Sequence, residues 1–353
     1  MRILALESSC DETACAILEN ASLLSNVVVS QIDIFKAYGG VIPEVAARSH
    51  LEAILPVIDQ AFQDGNLLKN GQNDWSKIDA IAVTHTPGLL GSLLVGTLTA
   101  RTLAILHKKP LYAVHHLKSH IFSNWLTASP SYPLLALVIS GGHTQIIRMT
   151  SDTDFEIIGT TLDDAVGECF DKVAKILGLP YPGGPSIAKA AKSGNPEKYP
   201  LPIPKIKDLN FSFSGLKTAV LRAVQKEVDV PISFPSHELK NLLTPEQIND
   251  FAASFQNTAC KILLQKLKKA QKIYPDTASI VFAGGVSANS ALRSLAQKTF
   301  EKSPNSPKLY FPDLKFAGDN AAMVGIAAYH EILSGRQPTD PYSLNILPRS
   351  EIS

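Results

Sequence analysis

No Cys-x-x-Cys pair occurs in this chain, and its four cysteines, Cys10, Cys15, Cys169 and Cys260, are scattered. That spacing excludes a thiolate zinc cluster and a disulfide scaffold, and it predicts the reduced thiols of a cytoplasmic protein. Net charge is just as scarce, with 33 basic against 32 acidic side chains. A near-neutral chain has no overall pull on nucleic acid, so any such binding needs a local patch or a partner. Long apolar runs are missing too. The opening Met1-Arg2-Ile3-Leu4-Ala5-Leu6-Glu7 meets an acid too early for a secretory leader, and no Arg- and Ser-rich presequence stands there. We expect no segment able to span a bilayer, hence no membrane partner. What remains is a well-buried composition, 45% hydrophobic and 18% charged over 353 residues, enough for two lobes.

The first positive signal is His116 and His120. Residues four apart on a helix lie on one face, so one turn carries two imidazoles able to share a divalent metal. An extended apolar run over 110–114 precedes them, which predicts a strand-to-helix turn, where α/β proteins bind ligands. The turn holds Leu117, Lys118 and Ser119 and no Glu, so this is not the zincin pattern.

Strands are expected at 2–6, 14–18, 23–30, 78–84, 134–139, 145–149, 279–282 and 309–311. Helices are expected at 43–62, from the small-residue run to 107, and at 163–178, 245–272, 290–300 and 321–333. Strand, polar turn, strand occurs twice, around Ser8 to Thr13 and around Ser140 to Thr144. This predicts a duplicated two-lobe α/β fold with a central cleft, of the actin–hexokinase–Hsp70 type. We expect residues 1–114 as a first lobe completed by 320–353, and 115–319 as a second lobe carrying the metal and nucleotide motifs. Lysines gather at Lys189, Lys192, Lys198, Lys205 and Lys207, and at Lys266, Lys268, Lys269 and Lys272. They read as solvated faces or as phosphate contacts.

Eight motifs then follow in order. They are Glu7-Ser8-Ser9-Cys10-Asp11-Glu12-Thr13, His115-His116-Leu117-Lys118-Ser119-His120, Ser140-Gly141-Gly142-His143-Thr144, Gly167-Glu168-Cys169-Phe170-Asp171-Lys172, Tyr181-Pro182-Gly183-Gly184, Phe211-Ser212-Phe213-Ser214-Gly215-Leu216-Lys217, Gly284-Gly285-Val286-Ser287-Ala288-Asn289 and Gly318-Asp319-Asn320-Ala321-Ala322-Met323. This series resembles the tRNA N6-adenosine threonylcarbamoyltransferase family, formerly the O-sialoglycoprotein endopeptidase family. The resemblance implies transfer of threonylcarbamoyl from threonylcarbamoyl-AMP to N6 of the adenosine 3′ of the anticodon in tRNAs reading ANN codons.

It further implies one divalent metal per subunit, held by His116, His120 and Asp319, with iron (Fe2+) expected and zinc (Zn2+) accepting the same ligands. Val138, Ile139, Ser140, Gly141 and Gly142 match the stretch lining the adenylate and its acyl group. Asp171 matches a ribose-binding acid, Gly184 a close-approach glycine and Asn289 a nucleotide contact. The phosphate is expected near the turns at 9–12 and 140–142. Asp11 is the candidate to orient or deprotonate the acceptor amine, with a purely structural turn role as its alternative. A smaller paralogous subunit, docking through first-lobe helices, and an ATPase are the implied partners beside tRNA.

The chain departs from the family pattern after Gly184, where Ser186, Ile187 and Ala188 offer no acid, and at Ala317. Residues 226–247 match nothing and read as a surface loop. Two other enzyme classes compete. A metal-dependent protease needs a base in the His116–His120 turn, and an ATPase or kinase of the same fold needs no His pair. A non-catalytic scaffold would not need the ligand set.

Overall fold

The apolar run Ile3-Leu4-Ala5-Leu6 does not alternate, because both faces of its strand are covered, as in parallel sheets. The computed structural model describes residues 1–300 and 306–349 and divides them into two compact units. The first comprises Met1–Pro130, Ser151–Phe155 and Pro312–Ser353; the second comprises Ser131–Thr150 and Glu156–Phe311.

In the first unit, β1 (Arg2–Glu7) pairs antiparallel with β2 (Glu12–Glu19), and β2 pairs with β3 (Ser22–Ser30). The helices α1 (Ile32–Lys36) and α2 (Pro43–Asp64) follow, then a small hairpin of β4 (Leu68–Lys69) and β5 (Gln72–Asn73). On its other side β1 pairs in parallel with β6 (Ala80–Thr86), which leads into α3 (Leu90–His107) and β7 (Leu111–His115). The sheet order is β3-β2-β1-β6-β7. The helix α4 (His116–Phe122) starts where β7 ends.

In the second unit, β8 (Leu134–Ile139), β9 (Thr144–Met149) and β10 (Phe155–Thr160) repeat the meander, and β11 (Ser279–Ala283) and β12 (Lys308–Tyr310) repeat the parallel strands. The order β10-β9-β8-β11-β12 is that of the first sheet, so the expected duplication is present. Its helices are α5 (Val166–Ile176), α6 (Gly183–Ala191), α7 (Ser214–Glu227), α8 (Pro245–Ile273) and α9 (Ser290–Phe300). A capping box between Thr244 and Gln247 starts α8. The chain returns to the first unit through α10 (Leu314–Ala317) and α11 (Ala321–Leu333). Each unit has its own apolar core, with Leu4, Leu6, Phe62 and Val83 in one and Leu137, Phe170, Phe255 and Phe282 in the other.

The structure corrects three expectations. The expected boundary at 114/115 falls at 130/131, and Asp319 also lies in the first unit. The cause is packing: α4 docks on α11, with Phe122 stacked on His330 at 5.0 Å. Asp152, also of this unit, lies 2.7 Å from the same imidazole. Second, α3 is, by length and composition, apolar enough to cross a membrane. Here it packs on α2 and β6, burying Leu93, Val95, Ala100 and Ala104. Third, Gly183 begins α6 in a stretch for which no element was expected; Pro182 stands at its N-cap, outside the hydrogen-bonded ladder. The surface loop expected over 226–247 is present, most of residues 229–242 being exposed, and it is tied to α7 because Gln225 and Arg222 donate to the Ile232 carbonyl and Gln225 also to that of Phe234.

Candidate functional site

His116 and His120 sit one turn apart on α4, buried, with ring centroids 4.6 Å apart. His115 caps the helix, its side chain accepting from Leu117 N–H, so the turn is stabilised without using the other two imidazoles. Asp319 approaches from the start of α11. Its Oδ1 lies 3.0 Å from His120 Nε2 and 3.7 Å from His116 Nε2. The N-cap of α11 is Asn320, which accepts from Met323 N–H, so capping the helix does not engage Asp319. Asp319 thereby keeps its carboxylate toward the imidazoles.

One ligand atom from each of the three residues lies within 4.8 Å of the others. Two ligands on one ion, with bonds of about 2.1 Å, are themselves about 3–3.5 Å apart. His120 is fully buried, and neither of its ring nitrogens has a hydrogen-bond partner among the described residues. Its 3.0 Å approach to Asp319 therefore lacks hydrogen-bond geometry. A buried polar atom without a partner is costly unless a cation takes it. The donor set of two imidazoles and a carboxylate fits a divalent transition metal.

Behind His116 stands Glu7, at the end of β1 and wholly buried. Its Oε1 accepts from Ser9 N–H at 2.6 Å, and its Oε2 accepts from the Thr84 hydroxyl at 2.6 Å. The same Oε2 lies 3.4 Å from His116 Nδ1, and Ser9 Oγ lies 3.2 Å from that nitrogen. This is the carboxylate-behind-histidine arrangement that orients a metal ligand. Burial alone would lower His116, but the carboxylates of Asp319 and Glu7 outweigh it and raise the imidazole to about 9. Burial would likewise raise Glu7, and the charge of His116 holds it below the ordinary carboxylate range instead. Sequence reading assigned Glu7 no role. The available signal was an acid ending a strand buried on both faces, which must find partners.

The β1–β2 turn presents Asp11 and Glu12, both partly buried. Burial raises both carboxyls, and the charge of Asp319 adds to it. His50 of α2 braces the turn on both sides. Its Nε2 lies 3.0 Å from the Cys10 carbonyl, which can only accept, so Nε2 carries the proton and Nδ1 accepts from Thr13 Oγ1 at 2.7 Å.

The remaining predicted residues lie in the second unit. Val138 and Ile139 are buried at the end of β8, and Ser140, Gly141 and Gly142 form the following turn, with Ser140 N–H donating to the His143 carbonyl. Both glycines of the turn have open space where a Cβ would stand. Gly284, at φ +84°, presses the end of β11 against the end of β8; a Cβ there would lie 2.5 Å from the Ile139 carbonyl oxygen. Asp171 Oδ1 accepts from Gly183 N–H at 2.6 Å, while Lys172 pairs with Asp164 and Glu168. The glycine that chain packing demands is Gly183, where a Cβ would lie 2.5 Å from Asp171 Cα. Gly184 faces open space. Asn289 caps α9 by accepting from Leu292 N–H, and its amide donates to Gln256 Oε1 at 2.7 Å.

The family model of the tRNA N6-adenosine threonylcarbamoyltransferases matches residues 22–326. The chain belongs to that family. It is 47% identical over 337 residues to the enzyme of that name from Christiangramia forsetii, covering 94% of each chain. With that from Gloeothece citriformis it shares 44% over 359 residues, 99% of this chain and 97% of the relative. Among solved structures it is similar to HypF from T. kodakarensis, at TM-score 0.59 and 14% identity over 95% of this chain and 47% of that one. It also resembles the activator of 2-hydroxyisocaproyl-CoA dehydratase from Clostridium difficile, at TM-score 0.51 and 12% identity over 95% and 97%. These two likenesses concern the fold, and they agree with the duplicated α/β architecture expected for the family.

Proposed function

We propose that this chain transfers a threonylcarbamoyl group from threonylcarbamoyl-AMP to N6 of the adenosine 3′ of the anticodon in tRNAs reading ANN codons. The observation that carries the reading is the buried His116–His120–Asp319 group, backed by Glu7, in a chain of the transferase family. His116, His120 and Asp319 would hold one divalent metal, iron(II) in preference to zinc, since two imidazoles and one carboxylate are the facial set of non-haem iron. When bound, that ion supplies a Lewis acid for the donor's oxygens.

The chain's own residues account for the rest. The open turn at Ser140, Gly141 and Gly142, with Val138 and Ile139 beneath it, takes the adenylate and its acyl group. Asp171, Gly184 and Asn289 contact its nucleoside part. In the transfer, N6 forms a bond to the carbamoyl carbon and the bond from that carbon to the phosphate oxygen breaks, releasing AMP. The N6 proton passes to Asp11, which stands in the turn that His50 braces at Cys10 and Thr13. Asp11→Asn is expected to lower kcat about 100-fold with little change in adenylate affinity. Equal losses in both would assign Asp11 a structural role.

A smaller paralogous subunit docks on the first unit. The support is an apolar face: Leu51 and Leu55 of α2 and Leu94 and Leu98 of α3 are all exposed, on helices that approach closely at Ala47 and Gly91. Exposed apolar patches of this kind mark protein interfaces. An ATPase completes the assembly, and the reaction belongs in the cytoplasm, where tRNA is modified. The test is incubation of the purified chain and these partners with threonylcarbamoyl-AMP and tRNA, followed by mass analysis of the nucleosides. N6-threonylcarbamoyladenosine is expected; unmodified adenosine at that position under saturating donor would overturn the reading.

A further inference from the structure

The second unit concentrates positive charge on one surface. Residues 195–208 run beside α8. Asn195 N–H donates to Asp250 at 2.7 Å, the ring of Tyr199 stacks on Phe251 at 3.6 Å, and Lys266 Nζ donates to the carbonyls of Ile206 and Asp208 at 2.8 and 3.0 Å. Lys269 Nζ adds a bond to the Asp208 carbonyl at 3.2 Å. Prolines at 200, 202 and 204 keep this strap extended. Two lysine clusters some sixty positions apart in sequence are thus clamped side by side.

On α8 itself, Lys261, Lys268 and Lys272 are exposed and fall within one narrow stripe at 100° per residue, about 16 Å long from first to last. Lys205 and Lys207 are exposed on the strap, flanking the half-buried Ile206. None of these five forms an ion pair among the described residues, whereas Lys36, Lys118 and Lys172 elsewhere do. No acid follows Asp250 on α8. Residues 200–210 and 261–272 together hold seven lysines and one acid; taken from the totals of 33 and 32, that leaves 26 basic against 31 acidic side chains in the rest of the chain. The chain therefore assembles seven like charges on one unit while leaving surplus acids unused elsewhere. Mutual repulsion opposes such a ridge unless a polyanion neutralises it.

We propose that this ridge, Lys261, Lys268 and Lys272 of α8 with Lys205 and Lys207 of the strap, is a phosphate-backbone contact surface for tRNA. The proposal rests on the tRNA-modifying reading above and adds a site outside the metal and adenylate residues. Extended rows of lysines suit a polynucleotide backbone, whose phosphates repeat along a line, and carry no base readout. The ridge answers how a chain of net charge +1 meets an RNA: the local patch replaces the missing overall charge.

The test is fluorescence anisotropy of a labelled tRNA transcript with the full chain between 50 and 300 mM KCl. The variant Lys205→Gln/Lys207→Gln/Lys268→Gln/Lys272→Gln leaves Lys266 and Lys269 to hold the strap. It should bind at least about tenfold more weakly at 100 mM salt, with a salt slope shallower by about three to four, one per lost phosphate contact. Its melting temperature should not change, and Lys69→Gln/Lys77→Gln on the first unit should bind as wild type. An unchanged slope in the fourfold variant overturns the ridge, as does a wild-type chain that does not bind tRNA at 50 mM KCl. So does a variant that loses binding to phosphatidylglycerol vesicles while keeping its tRNA affinity. Transfer from threonylcarbamoyl-AMP by the assembled wild type is scored separately, so a ridge that fails while transfer proceeds leaves the functional reading standing. Binding that follows the ridge without any transfer overturns the functional reading alone.

Discussion

The two units share one strand order, β3-β2-β1-β6-β7 against β10-β9-β8-β11-β12, yet their first hairpin turns carry opposite chemistry. The first turn is made of Glu7, Ser8, Ser9, Cys10, Asp11 and Glu12, and the second of Ser140, Gly141, Gly142 and His143. In the first unit, buried acids and imidazoles face one another and shift each other's protonation. In the second, glycines clear space around backbone groups. A duplicated scaffold thus carries two kinds of turn, one packed with acids and imidazoles that could hold a metal and one cleared by glycines. Charge needs partners that only a dense side-chain network supplies, and close backbone approach needs the absence of side chains.

The comparison breaks most sharply at the metal group. His116→Ala, His120→Ala and Asp319→Ala should each remove bound metal and lower transfer by 100-fold or more while circular dichroism stays native; metal content per chain is the direct measurement. Full metal content in any of them would mean that the first unit's network serves packing alone. Glu7→Gln keeps the shape and removes the charge behind His116, so metal affinity should fall about 10–100-fold with the ion still bound at saturation.

The second unit should answer differently to small changes. Gly183→Ala drives a methyl against the Asp171 backbone and should cost about 1–3 kcal/mol of stability, read by chemical denaturation. Gly184→Ala meets open space, so stability should hold while adenylate affinity falls by about tenfold. Equal destabilisation by both would show that the space at Gly184 is structural.

A last effect is one of pH on the metal-free chain. The folded value of about 9 for His116 exceeds the ordinary 6.5, so between these values the folded state binds more protons than the unfolded one. Its contribution to stability should be complete below about pH 6.5 and lost as pH rises through about 9. Metal-loaded protein, with His116 neutral, should lack this slope, which denaturation series with and without chelator will reveal.

Much of the molecule was legible along the chain. The strand over 134–139 and the helix over 290–300 appear with the bounds that apolar runs predict, because local periodicity and flanking turns decide them. The His116–His120 pair was legible as well, since four-residue spacing on a helix is itself a geometric statement. The unit boundary was misjudged. The docking of α4 on α11, nearly 200 residues downstream, is invisible to any local pattern.

The sequence by itself therefore determined the types of its clearly periodic elements, though not α6, α7 or β10, together with the repeated strand–turn–strand plan and the residues able to ligate a metal. Tertiary structure alone decided that Asn320 caps α11 and so leaves Asp319 to the imidazoles, that Glu7 stands behind His116, and that Gly183 rather than Gly184 is the glycine packing requires. It also brought two distant lysine clusters onto one ridge. Each of these depends on which atoms meet across long sequence separations, and contacts of that kind are set by the packing of whole elements, not by the propensities of the residues within them.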